Sequence, residues 1–193
     1  MKKPNVALFC REDSAYKERP SWDVYDINRD AMSYDGTNPV VCHPPCRSWG
    51  RLSHMANPRE GEKELAIYSI QLIRNVGGIL EHPHGSRLFN RLPLSNGFSD
   101  EYGGFTLELN QYDFGHVAHK NTKLYIVGID RGELPVMPGK NTVVSSRSIC
   151  GNVAGTTRCT QYQREYTPER LIDFFEEILG KIRANKTKEI SNV

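Results

Sequence analysis

Two short segments carry the side chains best suited to covalent chemistry. "VVCHPPCRSW" (residues 40–49) stops an apolar β-branched run with two prolines and then sets Cys46 beside Arg47 and Ser48. "GILEHPHGS" (residues 78–86) ends a second apolar run with Glu81, His82 and His84. A thiolate is a strong nucleophile, and a nearby carboxyl group can manage a proton on the molecule attacked. Together they suit addition to an electron-poor ring. Arg47 is expected to help hold the thiol ionised. Blander readings exist for the same residues. Free cysteine is often simply buried, and Cys42, Cys46, His82 and His84 offer a zinc set. The Pro44-Pro45 pair extends the chain between the cysteines and disfavours a zinc knuckle, so no metal is expected.

These residues meet only if particular elements bring them together. "NVALFC", "WDVYDI", "NPVVCH" and "GILEH" read as short buried strands. Between the last two lies the helical pattern "NPREGEKELAIYSIQLIRNVGG", with Asn57 as cap, Pro58 in the first turn, Gly77-Gly78 as stop, and Leu65, Leu72, Ile73 and Val76 as its apolar face. A strand–helix–strand crossover of this length predicts parallel, neighbouring strands. Ligands in such sheets bind beyond the carboxyl ends of the strands, so Cys46 and Glu81 are expected in one pocket. Residues 86–104 read as a long surface loop. "FTLELNQYDF" and "TKLYIVGI" predict an antiparallel hairpin, and residues 131–166 look irregular. "TPERLIDFFEEILGKI" predicts a helix capped by Thr167, with Leu171, Phe174, Phe175, Ile178 and Ile182 buried. The expected fold is a single α/β domain over residues 1–183: an open Rossmann-like sheet, mostly parallel, with a C-terminal antiparallel hairpin and flanking helices. The polar residues 184–193 are expected to fray.

Composition narrows the classes. The chain has 193 residues, 38% hydrophobic and 25% charged, with a formal net charge of +2. That suits one soluble domain with a real core and is compatible with a polyanionic partner. No apolar run approaches the ~18 residues of a membrane span. Five cysteines without a signal-length apolar segment in "MKKPNVALFC" point to a reducing cytoplasm. Cys150 and Cys159 read as packing residues, and Trp49 as an anchor rather than a stacking platform. His116 and His119 read as phosphate contacts or solvated side chains. Arg47, Arg51, Lys120, Lys123, Arg147 and Arg158 are scattered, and only convergence in space would make them a phosphate track.

In their order, "PPC", "EHP" and "NQYDFGHVAHKNTKLYIVG" resemble the cytosine-5 DNA methyltransferases, and a compact group of bacteriophage methyltransferase-like proteins in particular. The resemblance covers residues 40–130. It implies that Cys46 attacks carbon 6 of a flipped cytosine, that Glu81 contacts the pyrimidine edge at N3, and that Lys120 and Lys123 stand near the family's bracing arginines. It also implies DNA as partner, S-adenosylmethionine as methyl donor and a host bacterial cytoplasm as location. Arg47, Ser48, His82, His84, Gln111, His119, Lys120 and Lys123 then become the substrate-binding set, and Asp26 and Asp35 the cofactor-binding acids.

The departures lie mainly on the cofactor side. "EHP" stands for Glu-Asn, and "GHVAHK" lacks Pro-Gln. The turn after the first strand, "CREDSAYKERPS", has no glycine for close backbone approach to a ligand. Residues 10–21 are too few for a full crossover helix, and residues 27–45 too few for the strand and two helices the family places there. Weak or absent S-adenosylmethionine binding is therefore expected, unless a protein partner completes the pocket. Two alternatives follow: a non-catalytic phage factor binding DNA or a protein partner, and a base- or nucleotide-modifying enzyme with another one-carbon donor.

Overall fold

A computed structural model describes residues 5–50, 53–93, 98–149, 151 and 153–191. Arg51 and Cys150 lie outside them. Short apolar segments form four parallel strands, β1 (Asn5–Leu8), β2 (Trp22–Val24), β3 (Val40–Cys42) and β4 (Gly78–Pro83). β5 (Phe105–Asn110) and β6 (Asn121–Val127) pair antiparallel, and β6 also pairs antiparallel with β4. The strand order is β2-β1-β3-β4-β6-β5. This is the expected α/β sheet, with the predicted hairpin entering in reverse order, its second strand against β4.

Successive side chains on each strand face opposite layers. α1 (Glu62–Val76) covers one face and packs with Val6, Leu8, Val40, Cys42, Leu80 and Tyr125. α2 (Gln161–Glu165) is a single short turn. α3 (Glu169–Ser191) covers the opposite face, over Ala7, Val41, Ile79, Leu124 and Ile126. Its predicted stripe is buried in full: Leu171, Phe174, Phe175, Ile178 and Ile182. Burying each such side chain is worth about 1.5–3 kcal/mol. Gly78 fixes the join between the layers. It sits at φ +137°, and a Cβ there would lie 2.1 Å from the Val40 carbonyl oxygen, so β3 and β4 meet closely only because no side chain intervenes.

Four expectations change. α1 starts at Glu62, not at Asn57. Gly61 is left-handed (φ 74°), and the Glu62 carboxylate accepts from the Arg59 N–H at 3.0 Å, which fixes the start there. Its buried face is Ala66, Ser69, Ile70 and Ile73, with Leu65, Leu72 and Val76 only partly covered. The described residues of the 86–104 segment, 86–93 and 98–104, form no simple surface loop. A 3-10 turn at Arg87–Arg91 sends Leu88 and Phe89 into the core, and Asp100 accepts from the Tyr125 hydroxyl at 2.5 Å and from Arg74 at 2.9 Å. Within 131–166 lie α2 and a two-strand ladder, β7 (Arg147–Ser148) with β8 (Thr157–Arg158). The described part of the polar tail is helical rather than frayed: α3 runs to Ser191, and Lys186 donates to the Val76 carbonyl at 2.6 Å; residues 192–193 lie outside the described residues. Among the described residues no helix is long and apolar enough to cross a membrane.

Candidate active site

β3 and β4 are parallel neighbours, with Cys42 opposite Leu80. Chain order runs one way from β1 to β2 and the other way through β3 to β4, so the carboxyl ends of β1 and β3 form the switch point of the sheet. The side chains that β3 and β4 place at this edge are His43 and Glu81, both on the α3 face. The Glu81 carboxylate, 9% exposed, accepts from Gln111 Nε2 at 2.9 Å through one oxygen. Its other oxygen lies 3.1 Å from His43 Nδ1. His43 Nε2 lies 3.0 Å from the hydroxyl of Tyr16, which is fully buried. Gln111 also donates to Thr122 Oγ1 at 2.9 Å. A buried chain of polar groups thus runs Tyr16–His43–Glu81–Gln111–Thr122. The simplest assignment has Tyr16 donating to Nε2 and Nδ1–H donating to the carboxylate.

The electrostatics of Glu81 follow from its neighbours. Burial works to raise its carboxyl. The charge of Lys120, the hydrogen bond from His43 and the nearby imidazoles outweigh it and bring the group from 4.5 to about 2. Glu81 is therefore an anion, able to accept a proton or a donor rather than supply one. Gln111 keeps one carbonyl oxygen buried without a partner. Such an orphaned acceptor is costly and marks unused hydrogen-bonding capacity beside Glu81.

Cys46 follows β3 on a tight turn whose carbonyl accepts from the Trp49 and Gly50 N–H groups, each at 3.0 Å. It is the exposed thiol among the described cysteines; Cys42 and Cys159 are buried and Cys10 is half-buried. Enough protein still surrounds its sulfur that desolvation, followed by the negative charge of Glu81, pushes the thiol above its ordinary value. Lys120 opposes this and Glu165 adds to it. The charge of Arg47 does reach the thiol, as expected, but it does not offset burial and Glu81. The Arg47 guanidinium is engaged by Glu62, bidentate at 2.8 and 2.6 Å, where it ties the cysteine loop to the start of α1.

Of the other candidates, Lys120 belongs to this site through its charge on Glu81 and Cys46, and it donates to the Tyr166 carbonyl at 3.3 Å. His82 points to the other face of β4, packed on Phe89 at a ring distance of 6.4 Å. It is 1% exposed, and neither ring nitrogen reaches a partner in hydrogen-bonding geometry, although the Pro44 and Pro45 carbonyls lie beside it. Burial depresses it to about 4, so it stays neutral and supports the Pro-Pro-Cys turn from beneath. His84 and Lys123 gather instead on Glu108, each at 3.2 Å, on the hairpin side. His119 stacks on Tyr112 at 4.4 Å and is exposed. Ser48 shares the turn of Cys46 and is half-buried. His116 is neither solvated nor a surface contact: both its nitrogens are engaged, with Ala118 and with the Gln163 carbonyl at 2.7 Å, which pins α2.

The proposed cofactor acids are engaged elsewhere or isolated. Asp26 pairs with Lys17 and accepts from the N–H groups of Asn28 at 2.8 Å and Arg29 at 3.2 Å, which lowers its carboxyl. Asp35 is exposed, away from any hydrogen bond or ion pair among the described residues. Where a glycine would let a ligand approach β1, Phe9 takes a left-handed φ of 61°. A bulky residue there is strained.

Tyr16 and His43 belong to the site although sequence reasoning does not single them out. His43 is accessible to such reasoning, because the alternation of β3 puts it on the same face as Val41. Nothing local in "SAYKE" marks Tyr16. Among the described residues, no group of three or more His, Cys, Asp or Glu side chains stands as a metal site would. No family model and no curated protein matches the chain.

Proposed function

We propose that the chain is a nucleobase-acting protein of the cytosine-5 methyltransferase type, with Cys46 as the nucleophile toward a cytosine ring and Glu81 as the group on its N3 edge. The observation that carries this reading is the pairing of a solvent-reachable thiol with a buried, ionised carboxylate whose charge reaches that thiol across neighbouring strand ends. The step balances without an outside reagent. The sulfur–carbon 6 bond forms, the carbon 5–carbon 6 π pair moves toward N3, and the proton lost by the thiol ends on N3 against Glu81. The charge balance favours coupling these events. While Glu81 is bare, its negative charge holds the thiol protonated; once N3–H⁺ faces it, that obstacle to the thiolate is gone. A ring stacked inside a duplex cannot reach both the thiol and the recessed Glu81, so the target must be flipped or single-stranded.

The residues at the β1 turn do not fit S-adenosylmethionine, since Phe9 replaces the needed glycine and Asp26 is already engaged. We therefore derive no methyl transfer. This favours, as a second reading, the same cysteine addition serving another one-carbon donor or base recognition alone. A duplex carrying 2-pyrimidinone at a cytosine position, a ring more open to thiol addition, tests the proposal. Intact mass should show a protein–DNA adduct in the wild type and none in Cys46→Ser. A wild type that binds the duplex without forming an adduct contradicts the nucleophile assignment.

A further inference from the structure

We infer that Lys63, Arg87 and Arg91 form a phosphate-binding surface that holds the strand flanking the base presented to Cys46. The inference rests on the proposed function and adds a place for the nucleic-acid backbone. Trp49 is the centre of the arrangement. Its ring is buried, its indole N–H donates to the Lys63 carbonyl at 3.2 Å, and its carbonyl accepts from the Arg87 N–H at 2.9 Å. Lys63 Nζ and the Arg91 guanidinium both stand 5.7 Å from its centroid. The same turn carries Cys46, whose carbonyl accepts from Trp49 N–H. Three cations from α1 and from the 3-10 turn after β4 are thus held around the loop of the reactive thiol.

These three cations lack an opposing charge, in contrast to the cations around β1 and β2. Arg11, Lys17, Arg19 and Arg29, around β1 and β2, each pair with Asp or Glu. Lys123, on the hairpin, pairs with Glu108. Among the described residues no carboxylate lies within ion-pairing distance of Lys63, Arg87 or Arg91, all of them exposed. Glu62 is taken by Arg47, and the exposed Glu60 and Glu64 at the start of α1 make no pair with them. Arg87 is steadied by a hydrogen bond to Ser53. Phosphate oxygens would supply the missing partners, and displaced counterions would make binding salt-dependent.

The test is the full chain titrated into a fluorescent duplex over a range of salt, comparing wild type with Lys63→Ala/Arg91→Ala and with Lys123→Ala. Lys63→Gln/Arg91→Gln serves as a second pair that keeps side-chain bulk, and thermal melts confirm folding. The double variants should bind roughly tenfold or more weakly near ~0.1 M salt, and their log–log salt slope should be smaller by about two, one unit per lost phosphate contact. Lys123→Ala should keep the wild-type slope. An unchanged slope in both double variants overturns the surface, while the 2-pyrimidinone adduct tests the chemistry separately. Adduct formation with the free 2-pyrimidinone nucleoside, but no duplex binding, overturns the polynucleotide and keeps the nucleophile. Equal loss of binding to phosphatidylserine vesicles, with duplex binding intact, also overturns it.

Discussion

The two ends of the strand-edge row are built in opposite ways. Around β1 and β2 the charged groups complete one another: Arg11, Lys17, Arg19 and Arg29 are each ion-paired, and Asp26 is occupied by Lys17 and by its own turn; Asn5 Oδ1, at the amino end of β1, is the exception in being buried without a partner. Around β3 and β4 polar capacity stays unused. Gln111 Oε1, beside Glu81, is buried without a partner, and Lys63, Arg87, Arg91 and Lys120 face no carboxylate within ion-pairing range among the described residues. Buried polar groups are costly to leave unmade, and paired surface charges gain little by being made. The difference therefore points to where a ligand has something to add. It is the β3–β4 end.

The largest expected effect comes from Glu81→Gln, which keeps shape and removes charge. Adduct formation with the 2-pyrimidinone duplex should slow by about 10²-fold or more, the usual contribution of a positioned acid–base group. Iodoacetamide alkylation of Cys46 should move the opposite way, its pH midpoint falling because the Glu81 charge now raises the thiol. Both rates falling together would break the comparison, since Glu81 would then be acting through structure alone.

His82 gives the next effect, on stability against pH. Its folded value of about 4 lies below the ordinary 6.5, so between those values the unfolded chain binds the proton first. Stability attributable to His82 is complete above pH 6.5 and is lost as pH falls toward 4, by about 3 kcal/mol. Glu81 adds a loss of the same sign from 4.5 down to about 2. Urea midpoints of His82→Leu across pH 7 to 4 should show the first loss removed and only the second beginning. A slope identical to wild type would place the acid sensitivity elsewhere.

Arg47→Ala comes third. It strands the carboxylate of Glu62, which is 3% exposed. Because Arg47 itself is half exposed, a cost of about 2 kcal/mol is expected in chemical unfolding. Adding Glu62→Gln should recover part of it, and a double variant no better than the single one would contradict the pairing. Smallest is Asp26→Ala, at about 1 kcal/mol, since its largely covered carboxylate accepts from its own turn but pairs with a half-exposed Lys17. With or without it, S-adenosylhomocysteine should give no binding heat. Binding at a low micromolar constant, about −8 kcal/mol, would reopen the β1–β2 end as a cofactor site.

The parallel β3–β4 pairing and the buried face of α3 are legible in the sequence, because both rest on periodicity and on a crossover of sufficient length. Cys46 and Glu81 are legible for the same reason: each follows an apolar strand run. The reversed order of β5 and β6 is not, since a short connection settles antiparallel pairing but not which strand meets β4. The role of Arg47 is hidden because its partner, Glu62, reads as an ordinary exposed residue of the helix start until Gly61 turns it inward. Tyr16 reaches the site from a 3-10 turn (Ala15–Glu18) with no pattern to announce it.

One measurement bears most directly on the central claim, that Cys46 adds to a cytosine ring held by Glu81. If the adduct forms reversibly, carbon 5 becomes an enamine carbon that picks up solvent protons, so a duplex or single strand tritiated at cytosine carbon 5 should release label into water with no methyl donor present. The account predicts release by the wild type, none by Cys46→Ala, and at least about 10²-fold less by Glu81→Gln. A wild type that binds the tritiated strand and releases nothing, or a Cys46→Ala variant that releases as fast, would contradict it.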